Sequence, residues 1–510
     1  CLQKKGMIYV ENIEMHMESV FYVDKLWVKC YILYINKRHT LQYDINDIIY
    51  CGHVLRRKNM KRKIAAVALC AVMVSSMVAP AVSVKAADKE KLIVAYKDSD
   101  STGAKYMEQW INSTYENWAD KDKVDLELQP IVANDSDYAT KIQVEMQDKD
   151  TCPDIFFEDT FQLNTDVAAG YVADITDKVN AWDEWDSSFI EALKEGTKGS
   201  DGQTYAVPVS TDVRGLWYNK DVMEEAGLGR DWQPESWQDI LDACAAIKEK
   251  CGDDVVPIWF ACSNTEAEAT SMNTFEMLLY GTGETLVDES TGVWNVSGQG
   301  IKDALEFIKT CKDEGYIGTL SEVFDASDWE YANQYMSTAK LGMYLNGSWG
   351  YADYLEDRSY PMEGYSDDTL TDALGFAEMP KQNGDGYVTM SGGWSWAIAN
   401  NSDKQDEAFS FITEMMKSDN YITYLTGSGN LATKSGMDAY DEYKSKLYVD
   451  EATAMSENAF FRPHNENYSK VSSYIYEMVD TIVRNDTDIE SAMSDFKNSV
   501  SSVVGEDHVE

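Results

Sequence analysis

The stretch Lys91-Leu-Ile-Val-Ala-Tyr96 opens the part of the sequence that decides the fold. Its apolar run is typical of a buried strand, and the polar residues 97–103 after it predict a turn. The segments that follow alternate in pattern, with helical spacing over 107–118 and 138–146 and short strands over 124–130 and 154–157. Strands that alternate with helices predict βαβ units and a mostly parallel sheet.

A further helix is predicted after Pro234, where Ser236 can cap the first turn and Asp239 lies three residues on. Apolar residues then recur at helical spacing as far as Cys251, and Gly252 ends the pattern. Further amphipathic helices are predicted at 301–311, 407–416 and 471–483. The chain is therefore expected to be an α/β protein, with enough residues after position 86 for two domains.

Charge and composition exclude several classes of function. The chain carries 44 Lys and Arg residues against 88 Asp and Glu residues, a net charge of −44. Such a field repels nucleic acid and anionic membrane surfaces, so we expect no nucleic-acid partner. From residue 87 onward the only histidines are His464 and His508, and no CxxC pair occurs. This pattern argues against a multi-histidine metal site, a histidine-based triad or a disulfide scaffold, and we expect neither metal nor cofactor.

Residues 60–86 have the pattern of a secretory signal peptide. Lys61-Arg-Lys63 is basic, an apolar run covers 64–79, and Val84-Lys-Ala86 places short side chains where a signal peptidase reads them. The alternative is a membrane anchor, but the run is shorter than the roughly 20 apolar residues that a span needs. We therefore expect export to the cell surface or the extracellular space. The leucine before Cys70 does not fit a lipid attachment site, so no lipid anchor is predicted.

Residues 1–59 begin with Cys1 and precede the predicted signal peptide. Arg56-Arg57 can be encoded as AGGAGG, a ribosome-binding sequence, which would make Met60 the start of translation. We interpret residues 1–59 as translated upstream sequence, unstructured and without a folded role. The alternative is a genuine N-terminal extension.

Five groups of short motifs follow one another from residue 153 to residue 394. They are Pro153-Asp-Ile-Phe-Phe157 with Gly170-Tyr-Val-Ala-Asp-Ile-Thr176; Gly202-Gln-Thr-Tyr-Ala-Val-Pro208 with Leu216-Trp-Tyr-Asn-Lys-Asp221 and Ala226-Gly-Leu228; Pro234-Glu-Ser-Trp237; Lys340-Leu-Gly-Met-Tyr-Leu-Asn-Gly-Ser-Trp349; and Met379-Pro380 with Ser391-Gly-Gly-Trp394. In this order and spacing they resemble extracellular solute-binding protein family 1, the sugar-binding subunits of ABC transporters that include the maltose-binding protein.

The resemblance implies a two-lobed periplasmic-binding-protein-like fold of type II, with a ligand cleft between the lobes. One lobe would comprise residues 87–209 plus 378–426, and the other 213–377 plus 430–510. Ligand would shift an open–closed balance toward the closed form by a hinge motion. The resemblance further implies a monomer that captures a carbohydrate, preferably an oligosaccharide, and delivers it to the membrane permease of an ABC importer without catalysis.

The first candidate binding residues follow the strand predicted at 154–157. Loops at the carboxyl ends of parallel strands bind ligands in open α/β sheets, so Glu158, Asp159 and Gln162 are expected to line the cleft. A solvated acidic turn is the alternative. Asp212 lies where the maltose-binding protein carries a sugar-binding acid, and Arg214 is close by. The two could clamp neighbouring sugar hydroxyls with charge-assisted hydrogen bonds, or form a hinge salt bridge.

Trp349 matches the tryptophan that stacks on a sugar ring in the Asn-Gly-x-Trp motif of the family. Trp394 is a second candidate, because the preceding glycines 392–393 would let backbone approach the ligand closely. The alternative for both tryptophans is ordinary core packing. Weaker candidates are Tyr205, Trp329, Asn346 and Arg462.

Two other functions remain open on the sequence. A secreted glycoside hydrolase would need two carboxylates roughly 5–10 Å apart across a cleft, and the many acidic residues allow such a pair. A binding protein for a solute other than a sugar is the second alternative.

Overall fold

The structure, a computed structural model, describes residues 16–23, 26–32, 89–98, 105–133, 135–288 and 290–510. The chain divides into two compact units, Cys1–Ala86 and Ala87–Glu510. The predicted signal peptide, residues 60–86, lies outside the described residues. Within the described part of the chain, no helix is both long and apolar enough to cross a membrane.

The strands are, in chain order, β1 His16–Val23, β2 Leu26–Ile32, β3 Glu90–Asp98, β4 Val124–Val132, β5 Ile155–Asp159, β6 Ala206–Pro208, β7 Arg214–Asn219, β8 Val256–Trp259, β9 Val287–Asp288, β10 Val293–Trp294, β11 Leu341–Gly347, β12 Leu374–Pro380, β13 Tyr387–Val388, β14 Met390–Ser391, β15 Trp394–Ile398 and β16 Phe460–Phe461.

The α-helices are α1 Tyr106–Asn117, α2 Asp135–Met146, α3 Thr160–Ala168, α4 Thr176–Asn180, α5 Asp183–Ser188, α6 Glu191–Glu195, α7 Lys220–Glu225, α8 Trp237–Cys251, α9 Met277–Gly281, α10 Gln299–Asp313, α11 Leu320–Val323, α12 Asp328–Ser337, α13 Leu370–Ala373, α14 Gln405–Met415, α15 Ser418–Ser428, α16 Asp441–Lys444, α17 Val449–Ser456, α18 Tyr468–Asn485 and α19 Ile489–Val504. A π-helical turn spans Thr270–Glu276, and short 3-10 helices span Ser348–Tyr354, Asp367–Thr369, Met437–Ala439 and Glu506–His508.

The first unit contains one antiparallel pair, β1 with β2. Residues 1–59 are predicted to be unstructured, whereas β1 and β2 lie within them. Their origin as translated upstream sequence stays a prediction. Both segments are rich in β-branched and aromatic residues, which favour a pleated strand whatever their origin.

The second unit is built on two five-stranded sheets. In the first sheet the strand order is β4-β3-β5-β15-β6, with β3 parallel to both β4 and β5. The late strand β15 inserts antiparallel between β5 and β6. The βαβ units predicted from residue 91 onward therefore form the parallel part of this sheet, and the chain returns to complete it about 240 residues later.

In the second sheet the order is β13-β12-β7-β11-β8. Here β11 is parallel to β8 and antiparallel to β7, and β12 is antiparallel to β7. Each sheet lies in its own apolar core, one built around Trp110, Phe156 and Trp396 and the other around Trp217, Trp259 and Ile301. The prediction of a two-lobed α/β fold is confirmed.

The residues that pack in each core differ from two of the predicted lobe boundaries. The sequence assigns residues 430–510 to the second lobe, but apolar side chains of 431–455 pack in the first core. It also starts the return to the first lobe at 378, whereas β12 and residues up to Met390 pack in the second core. Both errors arise because these segments lack a local pattern that shows which sheet they cover.

Helix α8 forms as its sequence predicts. Ser236 accepts a hydrogen bond from the backbone of Asp239, whose side chain accepts one from the backbone of Ser236 in return. Cys244 is fully buried in the second core, as expected for its position on the apolar stripe. The helices predicted at 301–311, 407–416 and 471–483 are α10, α14 and α18, each within three residues at either end.

The chain passes between the two lobes near residues 210–211, 391–393 and 460–461. These crossing segments pack on one another. Gly393 has φ +144°, and a Cβ atom there would lie 1.9 Å from the carbonyl oxygen of Ser210. Thr211 and Ser391 share a hydrogen bond of 2.8 Å between their hydroxyls, and β14 pairs with β16 in parallel. The crossing segments therefore need glycine at position 393 for both backbone conformation and space.

Replacing Gly393 with Ala is expected to lower the free energy of unfolding by about 2 kcal/mol, because the side chain adds both backbone strain and a clash. Urea unfolding of a chain that begins at residue 87 measures the change. The matched control is Gly196→Ala, where φ is −62° and the nearest atom, the carbonyl oxygen of Leu193, lies 3.4 Å away. That substitution should change stability by no more than about 0.5 kcal/mol. Equal effects at the two positions would contradict the explanation.

Candidate functional site

A cavity of about 230 Å³ lies between the two lobes of the second unit. Its walls come from the carboxyl ends of β3 and β5, the crossing residues 212–214 and 393–394, the π-helical turn after β8 and the 3-10 helix after β11. Loops at these strand ends converge on the cavity beside the segments that cross between the lobes. This is the position at which α/β sheets bind ligands.

Trp394 forms an aromatic wall on the side of the first lobe. Its ring stacks on Phe157 with centroids 4.9 Å apart and an interplanar angle of 4°, and Tyr138 packs edge-on at 5.7 Å. The ammonium group of Lys97 lies 5.5 Å from the ring centroid. The tryptophan is only partly buried, whereas Phe157 and Tyr138 behind it are buried. A rigid, partly exposed indole at the cavity wall suits apolar stacking of a ligand.

Trp349 forms an aromatic wall on the side of the second lobe. It is the second residue of the 3-10 helix 348–354, and its ring lies directly over Gly347, where a Cβ atom would clash at 1.8 Å. The guanidinium carbon of Arg214 lies 5.0 Å from the ring centroid. The Asn-Gly-x-Trp motif therefore has a local reason for its glycine, which leaves room for the indole.

Asp212 and Arg214 form a buried ion pair with each other and also line the cavity. Asp212 accepts a hydrogen bond of 3.0 Å from the backbone of Gly392, and Arg214 donates one of 2.9 Å through Nε to Asn273. Burial lowers the pKa of the Arg214 guanidinium, and the charge of Asp212 opposes this effect. The hinge salt bridge considered from the sequence is thus formed, at a place where both side chains face the cavity.

Arg462 lies deeper in the same site, between two carboxylates. Its Nη2 is 2.9 Å from Asp159 and its Nη1 is 3.3 Å from Glu268. Burial works against the charged guanidinium, but the two carboxylates outweigh it and hold its pKa above the usual value. A neutral Arg462 is therefore excluded at any physiological pH.

Glu158 and Gln162 do not line the cavity, in contrast to the sequence expectation. Along β5 alternate side chains face opposite sides of the sheet, so Phe157 and Asp159 reach the cavity and Glu158 between them does not. Glu158 is buried near Asp166, to which Gln162 donates a hydrogen bond of 3.3 Å. Burial raises the pKa of Glu158 well above its usual range and that of Asp166 to about 6. These carboxyl groups belong to the interior of the first lobe.

Three of the weaker candidates also lie away from the cavity. Tyr205 donates a hydrogen bond of 2.8 Å to Asp201 on the surface of the first lobe. Trp329 packs edge-on against Tyr360 at 6.2 Å within the second lobe. Asn346 accepts a 2.8 Å hydrogen bond from the backbone of the residue that follows it. None of the three is among the residues that line the cavity.

Several cavity residues were missed from the sequence. They are Lys97, Tyr106, Glu268, Met272, Asn273, Asp353, Tyr424, Ser428 and Asn430. Lys97 lies at the carboxyl end of β3, directly after the strand predicted at 91–96, so the rule that selected residues 158–162 could have found it. The others come from helix ends, from the π-helical turn and from the crossing near 430, where no local signal distinguishes a cavity residue from a surface one.

The cavity thus offers two aromatic walls and a rim of carboxylate, guanidinium and amide groups. Such a combination binds a flat-faced polyol, since its C–H faces pack on indole rings while its hydroxyls take directed hydrogen bonds. Among the described residues, no group of three or more His, Cys, Asp or Glu side chains is arranged to hold a metal ion.

A family model for bacterial extracellular solute-binding proteins matches residues 114–449. The melibiose/raffinose/stachyose-binding protein of Bacillus subtilis is 31% identical over 126 residues, 25% of this chain and 27% of the relative. The lactose-binding protein of Rhizobium radiobacter is 25% identical over 276 residues, 53% of this chain and 58% of the relative. The chain therefore matches less than two thirds of the length of either relative.

Solved structures share the fold. An ABC transporter solute-binding protein of Thermotoga lettingae, crystallised with α-D-tagatose, superposes with a TM-score of 0.68 at 19% identity. The superposition covers 82% of this chain and 100% of the other. Together with the family match over well over half of the chain, this likeness confirms the resemblance drawn from the sequence motifs. The chain belongs to the bacterial extracellular solute-binding protein family.

Proposed function

We propose that this chain captures a carbohydrate in the cavity between its lobes, closes on it, and delivers it to the membrane permease of an ABC importer. The observation that carries the proposal is the placement of Trp349 and Trp394 on opposite lobes of one cavity. Closure would bring both indoles onto a single ligand. A sugar with two apolar faces can pack one face on each indole. The names of the relatives, for melibiose, raffinose, stachyose and lactose, support the same class.

The charges of the cavity favour an uncharged sugar. Both arginines are already paired with carboxylates, Arg214 with Asp212 and Arg462 with Asp159 and Glu268. A phosphate or a sugar acid bound by either arginine would have to displace its carboxylate or lie beside it, and each outcome leaves a buried negative charge that the arginine alone does not compensate. Neutral hydroxyls can instead add to the existing hydrogen-bonding groups without disturbing the pairs.

The export route and the partner belong to the proposal as well. The predicted signal peptide at 60–86 would deliver a mature chain beginning at residue 87 to the outside of the cell. There the closed, ligand-bound form would act as a monomer that docks on the permease. The chain itself would carry out no chemistry on the sugar.

A panel of sugars tests the ligand class. Melibiose, raffinose, stachyose and lactose are compared with glucose 6-phosphate and galacturonic acid by thermal shift and calorimetry. At least one neutral sugar should stabilise the mature chain, by about 2.7 kcal/mol at 100 times its dissociation constant. The charged sugars should not. Stabilisation by charged sugars alone would overturn the charge argument, and release of new reducing ends during incubation would indicate a hydrolase.

Single tryptophan substitutions test the site. Trp349→Ala and Trp394→Ala should each weaken binding of the panel sugar roughly tenfold, about 1.4 kcal/mol, because each removes one stacking surface. Titration calorimetry measures the dissociation constants. Trp329→Ala is the matched control, since Trp329 is partly buried in the second lobe but off the cavity, and it should change affinity by less than about twofold. A larger effect at Trp329 than at either cavity tryptophan would place the sugar elsewhere.

A further inference from the structure

We infer that Arg462 is a positioning residue that holds the two lobes together, and that it sets how far the protein closes before any ligand arrives. The inference rests on the proposed function only in that closure serves ligand capture. From the sequence, Arg462 is a weak candidate for a direct sugar contact. Its surroundings indicate a different task.

The two carboxylates that hold Arg462 belong to different lobes. Asp159 ends β5 of the first sheet and caps α3 by accepting a hydrogen bond from the backbone of Phe161. Thr160 adds a first-lobe contact, since its hydroxyl accepts a hydrogen bond of 3.2 Å from Nη2 of Arg462. Nη2 is thus bound to the first lobe at a helix N-terminus whose geometry is fixed by the cap.

Glu268, the other partner, is anchored in the second lobe. It accepts hydrogen bonds from Tyr468, at 3.0 Å, and from Ser472, and both donors lie on α18 in the second core. Burial raises the pKa of Glu268, and the positive charge of Arg462 counters that effect. The hydrogen bonds from Ser472 and Tyr468 likewise lower the pKa of Glu268 and so favour its charged form. Nη1 of Arg462, at 3.3 Å, is bound to the second lobe by this carboxylate.

Arg462 is also enclosed in a way that limits its movement. The ring of Phe161 lies 5.5 Å from its guanidinium carbon. On the other side is Gly392, where a Cβ atom would lie only 2.4 Å from Nη2. The side chain is 6% exposed. Packing thus holds the guanidinium between the lobes and leaves it little freedom to turn toward a ligand.

Opening the cleft would separate Asp159 from Glu268. Arginine can follow only one of them, so the other would be left as a carboxylate without its cation until water reaches it. Leaving one member of a buried ion pair without its partner is strongly unfavourable. A neutral contact, the hydrogen bond of 2.6 Å between Thr165 of α3 and Ser469 of α18, would break at the same time. These contacts favour the closed arrangement even without a ligand.

A biased closed state has a measurable effect on capture. The apparent affinity of a ligand is proportional to the fraction of protein already in the binding-competent form, so it falls as that fraction falls. Removing the charge of Arg462 should therefore open the ligand-free protein and weaken binding together. The shape of the ligand-saturated protein should not change, because the ligand itself then supplies the contacts between the lobes.

Small-angle X-ray scattering of the ligand-free mature chain provides the test. The ligand-free wild type should have a radius of gyration between that of its own sugar-saturated form and that of the ligand-free Arg462→Gln variant. Arg462→Gln should enlarge the ligand-free form while leaving the sugar-saturated form unchanged, and Arg462→Lys, which retains the charge, should restore most of the wild-type value. Lactose and raffinose serve as probes, with a roughly tenfold loss of affinity expected for Arg462→Gln. Arg484→Lys is the control, because Arg484 is paired with Asp480 within one helix of the second lobe.

Two results would overturn the inference. One is a folded Arg462→Gln variant, verified by circular dichroism, whose ligand-free scattering matches that of the wild type. If this variant also binds lactose or raffinose more weakly, Arg462 is a direct sugar contact. The other, which also applies if Arg462→Gln does not fold, is an Arg462→Lys variant whose ligand-free form exceeds the wild type in radius of gyration by as much as the wild type shrinks on saturation with sugar, because the retained charge should prevent that opening. If the protein binds neither lactose nor raffinose but Arg462→Gln still enlarges its ligand-free form, the inference about Arg462 is supported. The same result would count against the proposed ligand class.

Discussion

The rest of the second unit depends on the close approach of the segments that cross between its lobes. The backbone at Gly393 lies against the carbonyl of Ser210, and Thr211 pairs with Leu431 through two backbone hydrogen bonds of 3.2 and 2.9 Å. These segments are buried and bonded to one another, and they cross between the lobes beside the cavity. The ends of β3, β5, β8 and β11 therefore open into the same cavity. A hinge at this place can change the distance between the lobes while each core stays intact.

Charge inside the cleft is arranged differently from charge on the rest of the molecule. A net charge of −44 keeps the surface strongly hydrated and repels other polyanions. In the cavity, by contrast, each buried arginine lies against carboxylates, so that aromatic walls and ion pairs can share a space with little water. A buried charge without a partner would cost several kcal/mol. The pairing leaves the cavity suited to a ligand that brings hydroxyl groups and no charge.

The same ion pairs link recognition to movement. Arg214 bonds to Asp212 in the crossing segment and to Asn273 in the second lobe, and its guanidinium covers one face of Trp349. It can orient a wall of the site in either state of the hinge. Arg462 is bonded to both lobes and can keep both carboxylates only when the cleft is closed. Two arginines a short distance apart thus serve different purposes, and their partners, more than their own exposure, distinguish them.

The sequence by itself determined the α/β class, six of the helices, the family and six of the cavity residues, because these follow from local hydrophobic period, capping residues and short motifs. The six cavity residues are Asp159, Asp212, Arg214, Trp349, Trp394 and Arg462. Tertiary structure alone decided that residues 431–455 pack with the first lobe and that Glu268 belongs to the site. It also decided the partners of Arg462, since the arginine and Glu268 are 194 positions apart. Contacts at that separation depend on how two complete cores pack, and no periodic pattern along the chain records them.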